Sequence, residues 1–197
     1  MRPSRPSEHV SQLAQRRDEL RAALAGVVTP DSRLVWEVGS GHGHFLTAYA
    51  KSHPDETCLG VDIMSDRVVR ANRKRERARL ANLHFVRADA ADFLAVLPEG
   101  ARFISVFILF PDPWPTRRHH TNRVMNAGVL AAVAARAARG TPLHFRTDHA
   151  PYFAAASAAI RGHADWEALE DSALGFEEPT VFEKRARGHF TLVARRR

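Results

Sequence analysis

The sequence predicts an α/β fold, a mostly parallel sheet with helices on both faces, and three observations predict it. From Leu34 onward, short apolar runs alternate with helical stretches, as strands joined by crossover helices do. The first run leads straight into the turn Gly39-Ser40-Gly41-His42-Gly43, which opens a helix. Glu37, Asp62 and Asp89 stand at the ends of the first three runs, where open α/β sheets form ligand crevices.

Taken in order, residues 1–6 read as a disordered tip. Ser7 then caps a helix whose Val10, Leu13, Leu20, Leu24 and Val27 recur at helical spacing, and which stops before Pro30. Strands are expected near 34–38, 57–61, 83–87, 102–110, 142–146 and 189–195, with a further short strand near 166–170. Helices are expected over about 43–52, 65–80, 90–96, 123–139 and 150–161, the Ala-rich stretch 127–138 reading as a packed crossover helix. Residues 1–30 form an N-terminal tip and helix, and 31–197 form one domain, a size that allows a full core.

Charge narrows the partners. Lys plus Arg number 29 against 22 for Asp plus Glu, a formal net of +7, which favours a polyanion such as nucleic acid. All but Lys51, Lys74 and Lys184 of these cations are Arg, which suits bidentate phosphate contacts and follows equally from genome composition. Cys58 is the sole cysteine, which excludes an intramolecular disulfide and a multi-cysteine zinc site and fits a reducing, cytoplasmic compartment. The N-terminus lacks the apolar stretch of a signal peptide, and no apolar run is long enough to cross a bilayer.

The glycine turn excludes two cofactor classes. Its spacing is G-x-G-x-G with His44 at the sixth position, so a dinucleotide fingerprint and hence a nicotinamide dehydrogenase are disfavoured. No Gly-Lys-Ser/Thr follows, so it is not a P-loop either. Glu37 would repel a pyrophosphate but attract a cationic amino-acid group, Asp62 can accept two ribose hydroxyls, and Asp89 can accept an adenine amine. With Gly39 and Gly41 these acids make the chain resemble an S-adenosylmethionine-dependent methyltransferase of the Rossmann-like type.

The fourth strand carries the most specific stretch. Phe110-Pro111-Asp112-Pro113-Trp114-Pro115 is a proline-stiffened turn that holds one acid and one large aromatic in fixed directions, and a basic cluster follows it. This segment, with Arg118-His119 after it, is similar to the hallmark of the tRNA (guanine-N7-)-methyltransferase family. His144-Phe145-Arg146-Thr147-Asp148 and Thr180-Val181-Phe182-Glu183 resemble two further blocks of that family. The resemblance runs from about 34 to 195. It implies a doubly wound, mostly parallel seven-stranded sheet, with 31–197 as the methyltransferase domain and S-adenosylmethionine as co-substrate. It also implies methyl transfer to N7 of guanine-46 in the tRNA variable loop.

By the same resemblance, cofactor contacts fall at Glu37, Gly39, Gly41, Asp62, Asp89 and Asp112, the last also being catalytic. Substrate contacts fall at Thr116, Arg118, His119, Asp148, Thr180 and Glu183. The chain departs from the family at Thr116, Thr121 and Asn122, where basic residues are usual, while Arg117, Arg118 and Arg123 keep part of the charge. A diverged methyltransferase acting on another RNA or a small purine-like molecule therefore stays open, as does a non-catalytic RNA-binding module. Monomer and homodimer are both allowed. The basic run Arg67, Arg70, Arg73, Lys74, Arg75, Arg77 and Arg79 reads most simply as a solvated helix face, and the pairs His42/His44 and His119/His120 lack the partners of a metal site.

Overall fold

The computed structural model describes residues 6–114, 116–169, 175–176 and 188–197. The elements run α1 (Pro6–Leu24), β1 (Arg33–Val38), α2 (His44–Ser52), β2 (Thr57–Asp62), α3 (Ser65–Ala78), β3 (Leu83–Arg87), α4 (Ala90–Val96), β4 (Arg102–Leu109), α5 (Ala127–Arg136), β5 (Pro142–Thr147), α6 (Ala150–Arg161), β6 (Trp166–Leu169) and β7 (Phe190–Arg196). A 3-10 helix at Arg117–Asn122 precedes α5.

Among the described residues, seven strands join one sheet in the order β3-β2-β1-β4-β5-β7-β6. Strands β1 to β5 run parallel to one another, and β7 runs antiparallel between β5 and β6. This is the doubly wound, Rossmann-like architecture that the sequence predicts. The strand order reverses between β1 and β4, so the crevice outside their carboxyl ends is the place such sheets offer a ligand.

Buried strands explain the register. Five of six positions in β1 and five of six in β5 are buried, as strands covered on both faces require. On one face Trp36 packs between Phe93 of α4 and Phe103 of β4, with ring centroids 5.0 and 5.1 Å away. Leu20 and Leu24 of α1 join this cluster, and an Arg17–Asp92 ion pair of 2.9 Å ties α1 to α4. Val10, expected on the same apolar stripe, is exposed, because α4 is only seven residues long and covers α1 near its C-terminal half. On the other face Phe45 and Tyr49 of α2 pack on Phe107, with Cys58 and Phe85 beside them.

Two helices are shorter than the sequence predicts. The stretch expected as a helix over 123–139 forms α5 only from Ala127. There Asn126 takes an extended backbone and its side chain accepts a hydrogen bond from the Val129 N–H. Its far end is set by Ala137, whose extended backbone makes a parallel bridge to Phe103. Helix α3 stops at Ala78 because Arg79 adopts a left-handed φ of 54°. Among the described residues, no helix is long and apolar enough to cross a membrane.

Candidate functional site

The turn after β1 is shaped from beneath. The Gly39 and Ser40 N–H groups donate to the Val61 carbonyl of β2 at 2.8 and 3.0 Å. Gly39 and Gly41 take φ of 72° and 54°, and open space lies where a Cβ would project from either. Gly43 is tighter, since a Cβ there would meet the Phe85 ring at 2.5 Å. A hydrogen bond of 2.9 Å from Lys74 to the His42 carbonyl holds the turn from α3.

Glu37, the penultimate residue of β1, lies beneath this turn, only 4% exposed, and its Oε2 has no hydrogen-bond partner. Burial pushes its carboxyl up to about 8; Asp62 adds to the rise, while the Leu46 backbone N–H and Lys74 oppose it. The buried Ser40 Oγ likewise lacks a partner. A carboxylate so placed favours a cation: the arriving positive charge offsets the desolvation that keeps Glu37 protonated.

Asp62, at the end of β2, is buried and already engaged. Its Oδ2 accepts from the Gly41 N–H at 2.9 Å and its Oδ1 from the Met64 N–H at 2.8 Å, with Arg67 3.7 Å away. Each oxygen keeps a lone pair for a further donor. Asp89 follows β3 as the N-cap of α4, its Oδ1 accepting from the Ala91 N–H at 2.8 Å.

Asp112 stands exposed in the turn after β4, and Asp148 is exposed after β5. The structure thus brings Glu37, Asp62, Asp89, Asp112 and Asp148 to the carboxyl-terminal ends of β1 to β5, the first two within their strands and the other three just beyond theirs. Thr116 and Arg118 are exposed, and His119 is half-buried with its ring edge-on to Trp114 at 5.7 Å. Thr180 and Glu183 lie outside the described residues.

Two sequence expectations are corrected. Arg123, counted among the cations left for phosphate, is 6% exposed. Its Nε donates to the Pro113 carbonyl at 2.8 Å, and its guanidinium lies 4.7 Å over the Tyr152 ring of α6. Nothing in its neighbours along the chain marks it as buried, and the sequence reading missed Tyr152 altogether. The basic face of α3 is also only partly solvated: Arg67 reaches Asp62, Lys74 reaches the glycine turn, and Arg75 reaches His84, while Arg70, Arg73, Arg77 and Arg79 are exposed.

Away from this edge, a hollow of about 320 Å³ lies by the starts of β4 and β5, lined by Tyr49, His53, Ser105, His144 and Phe176 among others. His144 there stacks on Phe107 at 4.6 Å, and burial pulls its imidazole down to about 4. Among the described residues, no group of three or more His, Cys, Asp or Glu is placed to hold a metal ion.

Comparison with known proteins places this geometry among methyltransferases. The family model described as "Putative methyltransferase" matches residues 31–188. A tRNA (guanine-N(7)-)-methyltransferase of Rhodococcus jostii is 35% identical over 164 residues, covering 79% of this chain and 61% of that protein. One of Alkalilimnicola ehrlichii is 34% identical over 172 residues, covering 83% of this chain and 72% of that protein. Among solved structures, an rRNA methylase from Streptococcus thermophilus shares the fold. Its TM-score is 0.59 at 12% identity, and the match covers 90% of this chain and 94% of that one.

Proposed function

This chain belongs to the tRNA (guanine-N7-)-methyltransferase family, and on that premise we propose that it transfers a methyl group from S-adenosylmethionine to N7 of a guanine in tRNA, guanine-46 of the variable loop being the acceptor. One observation carries the cofactor assignment: a buried carboxyl, Glu37, one of whose oxygens lacks a hydrogen-bond partner, beneath a three-glycine turn at the reversal of strand order.

The residues present fit this cofactor. Glu37 takes its cationic amino-acid end, and the bare Cα atoms of Gly39 and Gly41 let it approach the backbone. Asp62 accepts the ribose hydroxyls on the lone pairs that Gly41 and Met64 leave free, and Asp89 accepts the adenine amine on the oxygen its capping bond does not use. Bound there, the cofactor supplies a methyl group on a sulfonium, whose sulfur keeps the bonding electrons as a thioether when guanine N7 bonds the carbon.

Guanine N7 carries a lone pair and no proton, so the protein needs no general base, and its task is alignment. Asp112 accepts hydrogen bonds from the guanine edge and offsets the positive charge that develops on the purine. Asp148 and Glu183 share that work, Trp114 walls the base, and Thr116, Arg118, His119 and Thr180 contact the surrounding RNA. The chain acts in the cytoplasm, on tRNA, with no metal.

The test is to incubate the protein with labelled cofactor and unmodified tRNA and to map the product by aniline cleavage, which cuts at N7-methylguanine. Label in tRNA with a single cut at position 46 is expected. A cut elsewhere overturns the position, and absence of label overturns the tRNA assignment.

A further inference from the structure

The turn that carries Asp112 is held in an unfavourable shape. Phe110 and Trp114, which flank Pro111-Asp112-Pro113, take left-handed φ of 49° and 42°, a region that bulky side chains avoid. Pro111 and Pro113 have no N–H to donate, so the turn has little means of fastening itself. At its start the Phe110 N–H donates to the Arg146 carbonyl at 2.8 Å. Beyond that point, among the described residues, the hydrogen bonds to the turn's carbonyls come from Arg123, whose Nε and Nη2 donate to Pro113 and Trp114 at 2.8 and 3.5 Å.

Arg123 is itself fixed at its guanidinium and at its backbone, and the ring beneath it is fixed in turn. Its guanidinium lies over the Tyr152 ring, its own carbonyl accepts from Asn126 Nδ2 at 2.8 Å, and the Tyr152 hydroxyl accepts from the Met125 N–H at 3.1 Å. Tyr152 lies in the first turn of α6, directly after the loop that carries Asp148. A buried cation stacked on an aromatic ring and forked onto carbonyl oxygens is rigid, and a lysine cannot reproduce its fork.

We infer that Arg123 is a positioning residue for methyl transfer: it braces the Pro111–Trp114 turn against α6, so that Asp112 is held in register with Asp148 across the substrate. This rests on the function proposed above and assigns Arg123 to the turn and not to the RNA backbone. Because Arg123 touches neither reactant, its loss acts through Asp112.

The test compares Arg123→Met and Arg123→Lys with the unaltered protein. A brace predicts that kcat falls roughly 10- to 100-fold in Arg123→Met, and less in Arg123→Lys, with KM for tRNA within about twofold. The salt slope of tRNA binding stays unchanged. Iodide quenching of tryptophan fluorescence rises, because Trp36 and Trp166 are fully buried and Trp114 is the partly exposed one that the brace holds. A phosphate contact predicts the reverse, raised KM with kcat kept and a salt slope smaller by about one, and that result overturns the proposal. Loss of the fold in both variants overturns it too, since Arg123 would then serve the core. If the unaltered protein makes no N7-methylguanine, the function falls, while the quenching comparison still decides whether Arg123 holds the turn.

Discussion

Glu37 is a buried carboxyl with one oxygen left unpaired beneath the glycine turn. With the folded value near 8 and the model-peptide value at 4.5, the folded protein holds a proton that the unfolded chain releases. The raised value therefore lowers stability progressively as pH climbs from about 4.5 to 8, and a bound cation reverses the penalty by drawing the proton off. Calorimetry near pH 7, in buffers of different ionisation enthalpy, should show release of up to about one proton on binding S-adenosylmethionine. Glu37→Gln should weaken binding and abolish that release. Asp112→Ala should leave the melting temperature nearly intact while methyl transfer disappears; near-normal turnover would remove Asp112 from the mechanism. The placement of Glu37 and Asp112 at strand ends was legible because an acid beside a glycine turn and an acid between prolines are local patterns. The burial of Arg123 was not, since it arises where a loop meets α6, far away in the chain.

Among the elements, α5 shows how a cap sets a boundary. The Ala-rich run forms helix from its first residue, Ala127, but the residues expected in the helix before it do not, because Asn126 caps it and Arg123 holds the turn after β4. Asn126→Ala removes both the cap and the bond to the Arg123 carbonyl, and thermal unfolding should show a loss of about 1 to 2 kcal/mol. The glycine turn is less tolerant. Gly43→Ala would place a Cβ against Phe85 and Ala71 in a left-handed backbone, and a loss of about 3 kcal/mol is expected, with weakened cofactor binding. The strands were legible because buried parallel strands appear as continuous apolar runs. The antiparallel course of β7 was not, because an apolar run carries no direction.

For the whole molecule, the formal charge of +7 should make tRNA binding weaken steeply with salt. Arg118→Ala should reduce the slope of log K against log salt by about one in a filter-binding series, since Arg118 is exposed beside the turn. The overall architecture followed from alternation of strand and helix signals. What the sequence could not disclose was which cations face water, because that depends on neighbours brought together only by folding. The place of β7 matters for how such a chain comes off the ribosome. Of the seven described strands it is translated last, yet it lies inside the sheet, with β5 on one side and β6 on the other. Until Phe190–Arg196 emerges, the nascent polypeptide has a bare β5 rim and a stranded β6, so completion of this half must wait for the final codons of the strand.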